Sequence, residues 1–260
     1  MNDMSYEFIG FEYAWKARIK LEAWEKINAS PLMAGCATGD ARFIVALLAG
    51  FWDFVDRFPA IIRGTFNTIS QGTDPRFTRF LQRASQRLAG MLSGMESDER
   101  AHRALWLKSA SMVDLDVQKL MSWPVLPEID RISTVIDQAE VRKKLLYFVA
   151  VEIVAEGISN FLSNSSAFEK VMGQKGLSWF RVHAVQPNDQ TTHEEIAYRA
   201  AYQLFMKAGE DLTEERLNTT IQECVDLFIK GASACCDAFG GAHAKQRSFV
   251  VTRGYSEEGQ

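Results

Sequence analysis

The segment Leu145-Leu-Tyr-Phe-Val-Ala-Val-Glu-Ile-Val-Ala-Glu-Gly-Ile-Ser-Asn-Phe-Leu162 decides the fold. Apolar residues cover it nearly all round rather than in one stripe, as in a helix at the centre of a bundle, packed by others on every side. Two acids interrupt this surface, Glu152 and Glu156, and a spacing of four puts them on one face. A carboxylate buried there is costly unless it is protonated, paired with a cation or bound to a metal. Glu156 is the first choice for a metal ligand, with Glu152 in reserve. The plainer reading pairs either acid with an Arg or Lys of a neighbouring helix.

On the N-terminal side, residues 6–27 carry a broad apolar stripe (Phe8, Phe11, Trp15, Ile19, Trp24), which suggests a dimer face or an extra lid. Asp40 offers a cap to a long apolar helix that Pro59 must kink or break. Another helical pattern runs from about Phe77 past His102 to Met112. On the C-terminal side, Thr192-His-Glu-Glu195 reads as a capping box that starts a helix close to His193, and a last helix runs to about Phe239. No strand alternation and no repeat emerges, so the chain reads as all-α with roughly eight to ten helices.

The 260 residues carry a net charge of -4, 47% hydrophobic residues and four cysteines. This composition suits a sizeable buried core in one domain, residues 1–239, followed by a polar tail at 240–260. The basic residues are spread, which argues against nucleic acid as a partner. The longest unbroken apolar run, Phe43 to Trp52, falls far short of the roughly 20 residues that span a bilayer, so no membrane is expected. Cys235 and Cys236 are adjacent and no Cys-x-x-Cys spacing occurs, as expected of reduced thiols in a cytoplasm.

Three of the four histidines fall in segments that also carry acids. Glu99 and His102 stand one helical turn apart, a common way to hold iron or manganese inside a bundle, with Glu96 as a substitute ligand. The plain alternative is a solvated face. His183, Asp189 and His193 form a second group, interrupted by Pro187, for which the alternative is an interhelical loop. An oxygen-rich set without cysteine favours iron or manganese over zinc.

Four stretches resemble the heme-oxygenase-like diiron oxidases, the family of the proteins CADD and UndA. They are Phe51-Trp-Asp-Phe-Val-Asp-Arg-Phe-Pro59, Asp98-Glu-Arg-Ala-His-Arg-Ala-Leu-Trp106, Ala155-Glu-Gly157, and His183 through His193, within a likeness running from about Gly39 to Leu204. The resemblance implies a bundle of about seven core helices, here with an extra N-terminal helix. It also implies two ferrous ions held by Glu99, His102, Glu156, His183, Asp189 and His193, with Glu99 and Glu156 as the catalytic carboxylates. The family's last motif usually reads His-x-x-x-Asp-x-x-His, whereas the gaps here are five and three residues.

The same resemblance implies an oxygen-dependent oxidase whose partners are dioxygen and a small amine, amino acid or fatty acid. N-oxygenation or oxidative carbon–carbon cleavage would be the outcome. The chain is also similar to thiaminase II (TenA) and the pyrroloquinoline-quinone synthase PqqC, which share the fold. The remaining alternatives are a metal-free enzyme of that kind, using Glu152 or Glu156 as acid or base, and a non-catalytic helical binding protein.

Overall fold

A computed structural model describes residues 13–71, 75–184 and 192–240. Among them there is no strand, and twelve helical segments follow one another. They are α1 (Tyr13–Asn28), α2 (Pro31–Ala37), α3 (Ala41–Gly50), α4 (Trp52–Ser70), α5 (Pro75–Ser111) and α6 (Val117–Met121). Then come α7 (Pro127–Gln138), α8 (Val141–Ser163), α9 (Ser166–Gly176), α10 (Ser178–His183), α11 (His193–Lys207) and α12 (Glu214–Gly240).

Helix α8 is the axis. It packs against α1, α10, α11 and α12, and residues on all its faces are buried, from Leu145 to Leu162. By length and composition this helix could cross a bilayer, but most of its apolar stretch is buried inside the fold. Its apolar character is that of a core helix.

Local chemistry sets the helix boundaries. Asp40 accepts from the Arg42 N–H and opens α3, Ser165 accepts from Phe168 and opens α9, and Thr192 accepts from Glu195 and opens α11. The apolar run after Asp40 breaks well before Pro59, the expected place. Helix α3 ends at Gly50, and α4 then runs from Trp52 through Pro59 to Ser70 without interruption. A Cβ at Gly50 would overlap Cys235 Sγ, so α12 approaches the backbone closely at this junction. This break, and the division of residues 166–183 into α9 and α10, raise the count above the eight to ten expected.

The stripe of α1 faces inward. Ile19, Ala23 and Ile27 are buried against α8 and α12, whereas Leu21 is exposed and Phe8 and Phe11 lie outside the described residues. Trp24 Nε1 donates to the Ile153 carbonyl at 2.9 Å, and its ring fills the space that a Cβ at Gly157 would occupy. That contact explains the glycine after Glu156. It also places α1 directly over the acid-bearing stretch of α8.

Candidate metal centre

Four helices bring acids and imidazoles together. Helix α5 supplies Glu99 and His102 one turn apart, α8 supplies Glu152, the last residue of α10 is His183, and the first residue of α11 is His193. Glu99 Oε1 accepts from His102 Nδ1 at 2.9 Å and from His193 Nδ1 at 3.1 Å. Glu152 Oε1 lies 3.7 Å from the same His193 nitrogen. The rings of His102 and His183 approach to 4.4 Å between centroids.

The outer contacts fix how each ring is presented. His183 Nδ1 donates to the Trp179 carbonyl one turn back, at 2.8 Å, which leaves Nε2 as the nitrogen with a lone pair. Burial lowers the pKa of this imidazole to about 4, against the pull of Glu99, so it is neutral. On the other side of the cluster, His193 Nε2 lies 3.2 Å from Asp98 Oδ2 at the rim. Burial opposes a charge on His193, but the neighbouring carboxyl groups of Glu152 and Glu99 outweigh it and raise its pKa to about 11.

The two carboxyls diverge. Burial pushes Glu99 up, yet the hydrogen bonds from His102 and His193 overcome it and hold this acid well below the usual carboxylate range. At Glu152 burial prevails, with the nearby Glu99 charge adding to it, and the carboxyl is raised. Among the described residues no Lys or Arg pairs with either acid. Two buried carboxylates with only imidazoles for company are a poor resting arrangement and a good one for cations.

Donor spacing fits that use. Glu99, His102 and His193 can each offer one ligand atom with all three within 4.8 Å of one another, and so can Glu99, Glu152 and His183. Glu99 belongs to both triads, so the residues present fit a pair of ions sharing one carboxylate.

Glu156 stands apart from the donor triads. It was the expected ligand of the central helix, but it pairs instead with Lys20 of α1, Nζ to Oε2 at 2.5 Å. The same Lys20 reaches Glu194 Oε2 at 2.7 Å, and Lys16 reaches Glu194 Oε1 at 2.9 Å. The reserve acid, Glu152, is the one turned into the cluster. Glu96 is likewise elsewhere, bound to Arg63 at 2.7 Å and Arg100 at 2.5 Å. Asp189 lies outside the described residues. Sequence reasoning missed Asp98, which reads as one more solvated charge. It also missed the two lysines of α1, whose spacing of four beside an apolar stripe was the available signal that buried acids wait opposite.

A cavity with about 50 Å³ of room adjoins the cluster. Glu99, Glu152 and His183 form its polar end, and Phe51, Phe54, Phe58, Trp106, Trp179 and Phe228 are among its walls. Phe148, outside this lining, supports Phe58 edge-on at 5.5 Å. A site of roughly 10–15 Å³ takes one water, so this cavity has room for a few waters or a small organic group.

No protein-family profile matches the sequence, and no curated protein does. By structure the chain is similar to a TenA homolog from Pseudomonas syringae pv. tomato, with a TM-score of 0.62 at 15% identity over 86% of this chain and 93% of that one. It is also similar to a domain of unknown function with a heme oxygenase-like fold from Shewanella denitrificans (TM-score 0.56, 12% identity, 86% and 91% covered). A TenA homologue from P. horikoshii is a third neighbour (TM-score 0.51, 13% identity, 86% and 96% covered). At such identities the likeness concerns architecture: the chain is an all-α bundle of the heme oxygenase-like fold.

Proposed function

We propose that the chain is a non-heme diiron oxidase that uses dioxygen to oxidise a small organic substrate. The observation that carries this reading is the pair of overlapping donor triads joined at Glu99. Glu99 would serve both ions, His102 and His193 one of them, and Glu152 and His183 the other. Bound there, two ferrous ions would supply the electrons that reduce dioxygen. Manganese suits the same donors.

The chain's own residues have definable tasks. Trp179 accepts from His183 Nδ1 and so leaves Nε2 as the ligand nitrogen of a ring that burial keeps neutral, and Asp98 holds His193 with Nδ1 toward the cluster. The aromatic walls exclude bulk water, so that substrate and oxidant meet in a low dielectric. In the metal-free chain Glu152, raised by burial and bordering the cavity, is the carboxyl placed to hold a proton, which an incoming ion would displace. The four cysteines are unbridged, which suits the cytoplasm. The test is to load the chain with ferrous iron without air, admit oxygen and watch the visible spectrum. A transient charge-transfer band with oxygen uptake is expected; a flat spectrum without uptake would refute the oxidase.

One observation favours a second reading. The same raised Glu152 at the edge of an apolar cavity suits a metal-free acid–base enzyme, and two of the structural neighbours are TenA homologues. No cysteine borders the cavity among its lining residues, so a thiol nucleophile is not part of that reading. Catalysis that survives exhaustive chelation would favour it over the oxidase.

A further inference from the structure

The cavity beside the cluster has a neighbour. A second void of about 10 Å³ lies further from the acids, and Ile27, Ser30 and Met33 are among the residues around it. Phe51, Ile158 and Phe228 border both spaces. The rings of Phe51 and Phe228 stack at 5.6 Å with 6° between their planes, and Phe54 meets Phe228 edge-on at 5.2 Å. A two-ring partition therefore closes the apolar end of the cavity.

The walls also limit what enters. Apart from Glu99, Glu152 and His183, the lining carries no charged side chain and no hydroxyl. The Trp106 Nε1 is committed to the Leu48 carbonyl at 2.9 Å. A second charged group on a ligand would be buried against phenylalanine and valine with nothing to pair it. At the polar end the carboxyl oxygens of Glu99 and Glu152 can accept from an amine N–H, which a carboxylate head does not offer. At about 50 Å³ the space is well below the roughly 150 Å³ of a dry cavity that admits benzene, which leaves room for a short alkyl group only.

We infer that the cavity takes a short-chain aliphatic monoamine, head toward Glu99 and Glu152, and that the Phe51–Phe228 stack sets the longest chain accepted. The inference deepens the proposed function by taking the cluster as the reacting end, but amine binding does not itself require iron. Of the two rings, Phe228 is the one that also meets Phe54, so its loss opens the partition most directly.

Calorimetric titration of n-alkylamines from methylamine to octylamine tests this on the metal-free chain. Affinity is expected to peak at about two carbons and then fall at least tenfold. Phe228→Ala should shift the optimum by two or more carbons as the two spaces join. Phe51→Leu removes the other ring more gently and should shift it the same way, which covers the case in which Phe228→Ala does not fold. The inference is overturned if octylamine binds the parent as well as ethylamine does, if propionate binds as well as propylamine, or if neither folded variant moves the optimum. Failed iron uptake with the amine profile intact would instead count against the oxidase alone.

Discussion

Asp98 faces water over most of its side chain, yet its carboxylate stands behind His193. A carboxylate on the far nitrogen of an imidazole fixes the ring and raises the basicity of the near nitrogen, an effect worth about 10–100-fold in metal affinity. Asp98→Asn is accordingly expected to weaken ferrous iron binding roughly tenfold in competition with a chromophoric chelator, without lowering the thermal midpoint. An unchanged affinity would remove Asp98 from the site. At the same scale, Cys36, Cys224 and Cys235 are buried, and burial pushes each thiol above its ordinary range. Cys236, only partly buried, is raised for the same reason. A disulfide dye at mildly alkaline pH should find no fast-reacting thiol in the folded chain and all four after denaturation. The proximity of Glu99 and His102 was legible because three residues on a helix make one turn. The roles of Glu152 and Glu156 were not, since a helix buried on all faces gives no sign of which acid meets a lysine.

Helix α1 resolves that ambiguity. By bringing Lys20 to Glu156 and Glu194, it neutralises one acid of α8 and the residue that comes after His193 on α11. These side chains are largely buried, so Lys20→Met leaves a carboxylate without its cation, at a cost on the order of 3 kcal/mol in urea unfolding. Adding Glu156→Leu should recover most of that loss, because Lys16 still holds Glu194. Two independent, additive losses would contradict the pairing. Helix α11 begins at His193 because Thr192 caps it, and Thr192→Ala should cost about 1 kcal/mol and loosen the first turn that carries His193. The capping box was readable in the sequence. The end of α3 at Gly50 was not, because it reflects the close approach of Cys235 on a helix far along the chain, whereas Pro59 is tolerated inside α4.

At the scale of the molecule, one hydrophobic core joins the helices around α8, and the acid–imidazole cluster and its cavity lie where α5, α8, α10 and α11 converge. The all-α bundle was legible because the period of its apolar residues is helical throughout. The gathering of Glu99, His102, His183 and His193 was expected only through the resemblance, since apolar period alone does not say which helix faces pack together. The oxidase requires that Glu99 and Glu152 belong to the metal centre and Glu156 to the scaffold. Counting the ferrous ions bound anaerobically by the parent, Glu152→Gln and Glu156→Gln tests this most directly. About two ions per chain are expected in the parent and in Glu156→Gln, and one or none in Glu152→Gln. A parent that takes up no iron, or a Glu156→Gln variant that loses an ion while Glu152→Gln keeps both, would contradict it.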